Sequence, residues 1–177
     1  LDNHQTNTKI SDALDGALLI TKKLHACKSE VAAEAKTKYT HEEHIALLQQ
    51  LWTCFADDTP IPEIPNEKWK TLGFQGNDPA TDFRGMGLFG LKQLLFFGET
   101  HQVLARKYYR EAQIDDNWFF PALFGINVTG FVHEMLMRGD LDVYLFEHQT
   151  SKKSPHKSVL DTLYAKFYTS LCVKRLA

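Results

Sequence analysis

Residues 69–91 read WKTLGFQGNDPATDFRGMGLFGL. One arginine, Arg84, stands among Gly73, Gly76, Gly85, Gly87 and Gly90. Glycine destabilises a helix relative to alanine or leucine, so a segment needed only as a stable helix would not carry so many. Lacking a Cβ, glycine admits positive φ and the close approach of a second backbone or a ligand. Asp78-Pro79 reads as a turn, because proline fixes its own φ and moves its predecessor out of the α region. Thr81 and Asp82 are both good N-cap types, which predicts a helix starting near Asp82 and carrying Leu88, Leu91, Leu94 and Leu95 inward. Arg84 then falls in the first helical turn, where the macrodipole disfavours a cation. An arginine in an unfavourable place, with glycines clearing the space around it, points to a contact outside the chain. The competing reading is local: Arg84 pairs with Asp82 or Asp78 and pins the loop.

Upstream, residues 1–8 are polar and read as a frayed tail. Ile10, Leu14, Ala17, Leu18, Leu24, Cys27 and Val31 then recur at near-helical spacing, which predicts a helix from about Lys9 to Ala35. Thr40, His41, Glu42 and Glu43 form a capping-box candidate for a helix that buries Ile45, Leu48, Leu51, Trp52 and Phe55. His41 and His44 read as solvent-facing residues of its first turn. Asp57 to Pro65 is a proline-rich break that forbids a helix. Asn66 caps a short helix through Trp69 that ends near Gly73. Trp69 and Phe74 anchor the loop that follows.

Downstream, Gly98 marks a break. Glu99 to Ala112 form an amphipathic helix with Val103, Leu104 and Tyr108 inward and Arg106, Lys107 and Arg110 as a basic flank. Asp115-Asp116-Asn117 caps the next element, and Pro121 fits its first turn. From Trp118 to Phe131 the residues are apolar nearly all round, as in a helix central to a bundle, with Gly139 past its end. Gly125 and Gly130 let neighbours pack close. Asp140 to Phe146 is ambiguous between helix and strand, and helix is preferred because nothing else supplies a partner strand. After a polar loop from His148 to Ser154, Pro155 opens a last helix with Val159, Leu163, Phe167 and Leu171 inward. The expectation is an all-α, single-domain, multi-helix bundle with a central apolar helix and a Gly-rich loop leading into the Arg84 helix. Residues 1–40 form an N-terminal helix and tail, and 41–177 the domain proper.

The chain has 177 residues, 44% hydrophobic and 24% charged, which excludes wholesale disorder. The formal net charge of -2 argues against nucleic acid as the main partner, since phosphate binding needs a positive face. Cys27, Cys54 and Cys172 are scattered without CxxC spacing, the usage of reduced thiols in a cytoplasmic protein. No apolar run approaches the ~20 residues that span a bilayer. There is no GxxxxGK[ST] loop, so the chain is not itself a nucleotide-hydrolysing switch. HEEH is not a zincin spacing and no third ligand is evident, so no metal is expected.

The run Trp69-x3-Gly73-Phe74-Gln75-x3-Pro79-x-Thr81-Asp82-Phe83-Arg84-Gly85-x-Gly87, followed by Leu91, Leu94 and Phe97, resembles the ELMO-domain signature, most closely that of the short ELMO-domain-containing proteins. The similarity extends from about Glu42 to the C-terminus. The resemblance implies a helical fold and GTPase-activating activity toward Arf and Arf-like small GTPases in the GTP state. It implies that Arg84 is the residue needed for activity, supplied in trans, with no cofactor of the chain's own because the GTPase carries GTP and Mg. Gln75, Asp78, Thr81, Asp82, Gly85 and Gly87 are then the expected partner contacts. Trp69, Gly73, Phe74, Pro79 and Phe83 are the expected anchors of the loop. A cytoplasmic protein recruited to membranes through its GTPase follows from the same resemblance. The alternatives are a non-catalytic ELMO-type scaffold module of a Rac pathway and an effector that binds an Arf-like GTPase without altering hydrolysis.

Overall fold

The computed structural model describes residues 3–57, 59–114, 119–148 and 155–176, and every regular element among them is helical. In order these are α1 (Asn3–Lys36), α2 (His41–Ala56), the short 3₁₀ helices η1 (Glu67–Leu72) and η2 (Pro79–Arg84), α3 (Gly87–Thr100), α4 (Gln102–Glu111), α5 (Pro121–Arg138), α6 (Asp142–Glu147) and α7 (Pro155–Leu176). The expected all-α bundle is what forms. The expected cap at Asp115–Asn117, Trp118, and the loop beyond His148 lie outside the described residues.

α3 is the hub. It packs on α1, α2, α4, α5, α7 and η2. Phe89, Leu91, Leu94 and Phe97 are completely buried, so the helix is apolar on more than one face, as a helix with neighbours on several sides must be. Two glycines set how closely those neighbours come. At Gly98 a Cβ would lie 2.8 Å from the Cys54 Cβ, so the missing side chain lets α2 close onto α3. Gly98 therefore sits inside α3 and does not end it; the break falls at His101 (φ -129, ψ 42). At Gly125 a Cβ would meet the Leu94 side chain at 2.4 Å, so the missing side chain likewise lets α5 close onto α3. Phe97 stands edge-on to Tyr168 of α7 at 4.5 Å between centroids, and the Tyr168 hydroxyl donates to the Pro121 carbonyl (3.0 Å), satisfying its buried polar end.

Several faces differ from the periodicity. α1 is helical from Asn3, and Ile10, Leu14 and Leu18 are exposed; the helix meets the bundle only from Leu24 on, with Cys27 and Val31 buried. Val103, expected inward on α4, is 82% exposed, while Ala105 and Tyr108 are buried. On α7 Val159 and Leu163 are buried as expected, but the completely buried stripe is Leu160, Tyr164, Tyr168 and Cys172, and Leu171 faces out. Phe131 of α5 is exposed beside Phe167 of α7 (5.8 Å). For Val103, Phe131 and Leu171 the next residue, Leu104, Val132 and Cys172, is the one turned to the bundle, a choice that apolar spacing alone does not make, whereas the first turns of α1 carry no buried residue among those described.

Candidate functional site

The Gly-rich segment is built on a row of aromatic rings. Trp69 of η1 is fully buried, edge-on to Trp52 of α2 at 5.1 Å and to Phe74 at 6.1 Å, and its Nε1 donates to the Glu63 carbonyl (3.1 Å). Phe74 meets Phe83 of η2 at 5.7 Å, and Phe83 meets Tyr39 at 5.3 Å. Gly73 ends η1 as expected, in the left-handed region at φ 95, and a Cβ there would lie 2.4 Å from the Pro121 nitrogen. Its carbonyl accepts from the Leu123 N–H (3.1 Å), and the Asn66 N–H donates to the Asn77 carbonyl (2.9 Å), closing the segment on itself. Trp69, Gly73, Phe74, Pro79 and Phe83 are all buried. An interior row of this kind holds the loop's backbone while leaving its outer rim free.

The short helix that carries Arg84 starts earlier than its sequence suggests. Asp78 is the cap: its Oδ1 accepts from the Ala80 N–H (2.9 Å), and Pro79 occupies the first position, where no N–H is needed. The same oxygen lies 2.9 Å from His41 Nε2, and His41 Nδ1 lies 3.1 Å from the Tyr39 hydroxyl. With Nε2 donating to the carboxylate, a neutral ring accepts the Tyr39 O–H at Nδ1. Burial, aided by the Asp78 charge, pushes Tyr39 up to about 12, so it stays a donor. His41 is thus a half-buried strut between α2 and η2, not a solvent-facing residue. The capping box at Thr40 does not form either; the Thr40 N–H goes to His44 Nδ1 (3.2 Å), which takes the part expected of Glu43.

Thr81 and Asp82, expected to open the next helix, hold the turn together. Thr81 Oγ1 donates to the Asp78 carbonyl (2.9 Å), and Asp82 Oδ2 accepts from the Gln75 N–H (2.8 Å). Gly87, the first residue of α3, has φ 49, so the chain does not run on from η2 into α3 as one right-handed helix. Arg84 therefore stands at the C-terminal end of η2 and not at a helix N-terminus. Carbonyls face that end, and Arg84 Nε donates to the Thr81 carbonyl (2.8 Å), so the position suits a cation.

Arg84 is exposed, and among the described residues its terminal nitrogens have no protein partner. The carboxylates expected to compete for it are engaged elsewhere, Asp78 by His41 and Ala80, Asp82 by Gln75. Burial raises the Asp82 carboxyl above its ordinary value, against the pull of the Gln75 hydrogen bond and the Arg84 charge. Gln75 and Thr81 share this exposed rim. Gly85 is exposed in ordinary helical conformation (φ -78, ψ -40), with nothing within 4 Å of where a Cβ would stand. Gly87 is different. It is buried, and a Cβ would strike the Thr37 carbonyl oxygen at 2.3 Å and that of Ala35 at 2.7 Å. Its missing side chain makes room for the end of α1, and the Leu88 N–H uses that approach to donate to the Thr37 carbonyl (2.9 Å).

Beside Gly85 opens a groove of about 360 Å³ between the end of α1 and α5. Ala32 and Ala35 line it from α1, His133 and Met137 from α5, and Met86 from the connection between η2 and α3, with Lys36 also along it. The basic flank of α4 is partly spent: Arg106 pairs with Asp57 at 2.6 Å, leaving Lys107 and Arg110 exposed. Among the described residues no three His, Cys, Asp or Glu side chains gather as a metal site, and no helix is long and apolar enough to cross a membrane. The groove and the Tyr39–His41–Asp78 chain escaped the sequence reading, because each joins segments far apart in the chain.

The family model described as "ELMO/CED-12 family" matches residues 29–174. ELMO domain-containing protein B of Dictyostelium discoideum is 32% identical over 147 residues, covering 81% of this chain and 51% of that protein. ELMO domain-containing protein 2 of Homo sapiens is 33% identical over 109 residues, covering 59% of this chain and 36% of that protein. Ankyrin repeat and ELMO domain-containing protein D of Dictyostelium discoideum is 36% identical over 103 residues, 57% of this chain and 8% of that protein. The chain thus spans about half, or less, of the length of these relatives. No solved structure matches it.

Proposed function

This chain belongs to the ELMO/CED-12 family, and we propose that it is a GTPase-activating protein for Arf-family small GTPases, acting through Arg84. The observation that carries this reading is the exposed Arg84 guanidinium, tethered through Nε and, among the described residues, bonded to neither nearby carboxylate. Hydrolysis of GTP passes through a loose transition state with charge spread over the phosphoryl oxygens. A guanidinium stays ionised at any working pH and presents a planar fork of donors to such charge. The Nε bond to Thr81 restricts the side chain before docking, which lowers the entropy lost on entering the partner's site. Gly85 leaves that approach open, and Gln75 and Thr81 supply polar contacts on the same rim. GTP and its Mg belong to the partner.

Single-turnover GTP hydrolysis by a panel of Arf and Arf-like GTPases, with and without this chain, tests the proposal. Stimulation that Arg84→Ala removes and Arg84→Lys fails to restore is the expected result, since lysine lacks the fork. Binding of the GTP-loaded form without faster hydrolysis would instead make the chain an effector or scaffold module.

A further inference from the structure

The groove beside Gly85 has features that the role of Arg84 does not use. Ala32 and Lys36 are four residues apart on α1, and His133 and Met137 four apart on α5, so each pair lies along one face of its helix. Small side chains from α1 leave depth, and the thioethers of Met86 and Met137 adapt to an incoming shape. Met137 is 37% exposed. Burial lowers the His133 imidazole below its ordinary value, so the ring is neutral at pH 7. Among the described residues no carboxylate lines the groove. The acids that adjoin the lining are paired, Glu34 with Lys92 and Lys157 and Glu134 with Arg138, which leaves Lys36, and Arg84 beside Gly85, as the cations there. Neither forms an ion pair among the described residues, whereas Lys28, Lys92, Arg106, Arg138 and Lys157 do. An apolar trough half open to solvent, without convergent buried polar groups, suits a protein side chain better than a small metabolite.

We propose that this groove seats an aliphatic side chain from the surface bordering the nucleotide of the same GTPase that Arg84 serves, with an adjacent carboxylate of that GTPase meeting Lys36. The inference rests on the reading of Arg84 above. It follows from continuity: Gly85 adjoins Arg84 in the chain and lines the groove. A protein whose nucleotide lies at the guanidinium must therefore lay the neighbouring surface across Met86 and Met137. The groove then sets affinity, and Arg84 sets the rate.

The test titrates wild type, Met137→Glu and Lys36→Glu against a responding GTP-loaded Arf-family GTPase in single-turnover hydrolysis. Met137→Glu, which buries a charge against the incoming side chain, is expected to raise the half-saturating concentration about tenfold or more and leave the plateau rate unchanged. Lys36→Glu is expected to raise it about threefold to tenfold, with the difference shrinking as salt is added. Arg84→Ala should show the reverse pattern, a lowered plateau at unchanged half-saturation. A folded Met137→Glu whose half-saturation stays within about twofold of wild type overturns the groove and leaves the role of Arg84 standing. So does Ala32→Leu, which fills the trough, if it behaves the same way. If wild type stimulates no GTPase, the proposed function fails and equilibrium binding to the GTP-loaded forms reads the groove instead. Binding weakened by Met137→Glu upholds the groove; unaltered binding, or none, overturns it. A dimer of this chain that Met137→Glu dissociates would also overturn it, by assigning the trough to a second copy.

Discussion

At Gly85 an added Cβ would meet nothing within 4 Å, whereas two residues on, at Gly87, it would strike the Thr37 carbonyl at 2.3 Å. The contrast runs through the whole segment. Its rim, made of Gln75, Thr81, Arg84 and Gly85, is exposed and tied down by hydrogen bonds to the segment's own backbone and to Asp82. Its inner wall, made of Trp69, Phe74, Phe83 and Gly87, is buried and held by the rings of Trp52 and Tyr39 and the carbonyls of Ala35 and Thr37. Glycine is thus used for opposite ends within one motif: at the rim it leaves space for another molecule, and at the wall it leaves space for the chain itself. The same division separates two arginines that look alike in sequence. Arg106 is held by Asp57, while among the described residues no carboxylate forms an ion pair with Arg84.

If rim and wall are separable, substitutions should sort by readout as well as by size. The largest effect is expected at the rim and in rate alone. Arg84→Ala should lower stimulated hydrolysis by about 10³–10⁵-fold, roughly 4–7 kcal/mol in the barrier. Thermal unfolding should shift by no more than a surface substitution allows, about 0.5 kcal/mol. A chain that unfolds on losing Arg84 would erase the distinction.

The next effect belongs to the wall. Gly87→Ala adds a methyl against two carbonyls at positive φ and should destabilise by about 2–5 kcal/mol in denaturant melts. Gly85→Ala has neither problem and should be neutral or stabilising by about 0.4–1 kcal/mol, through the unfolded chain. Its methyl would nonetheless stand where a partner docks, so stimulated hydrolysis should weaken while the melt improves. Equal melts for the two variants would break the comparison.

How much of this the sequence carried depends on how far apart the partners lie. The Asp78-Pro79 turn, the Asn66 cap and the Gly73 terminus were legible because each is made by residues a few positions apart. Trp69 and Phe74 announced themselves as anchors by size, and Phe83 through the resemblance. The helix expected at Asp82 failed for a remote reason: the positive φ of Gly87 fits a carbonyl fifty residues upstream, and it separates η2 from α3. Gly98 looked like a break because no local pattern reveals Cys54 and Phe55 waiting across the interface. Arg84 was conspicuous in sequence, yet its freedom was not, since His41 and Gln75 had first to engage the competing carboxylates. The groove gathers residues from 32–36, 85–86 and 133–137, and no single stretch displays it.

The smallest effects set an acid of the bundle, Glu34, against the acid beneath the rim, Asp82, by the sign of a pH dependence. Glu34 of α1 is pulled two ways: burial would raise its carboxyl, but hydrogen bonds from Lys157 (2.7 Å) and Lys92 outweigh it, and the net shift is below the ordinary 4.5. A carboxyl lowered on folding contributes stability above its unfolded value and loses it as pH falls through the folded one. Urea melts should therefore show wild type losing the Glu34 contribution below pH 4.5, a loss absent in Glu34→Gln, which is about 1–3 kcal/mol weaker at pH 7. Asp82 moves the other way, raised above 3.8 chiefly by burial. The folded protein then holds that proton more tightly than the unfolded chain, so the contribution is present below 3.8 and fades as pH rises through the folded value. Asp82→Asn keeps an oxygen for the Gln75 N–H and has no proton to lose. Its stability relative to wild type should therefore climb, by about 1 kcal/mol or less, as pH rises from 3 to 6. A relative stability that fell over that interval would mean that Arg84 pairs with Asp82 strongly enough to outweigh burial, and the rim's arginine would no longer be free.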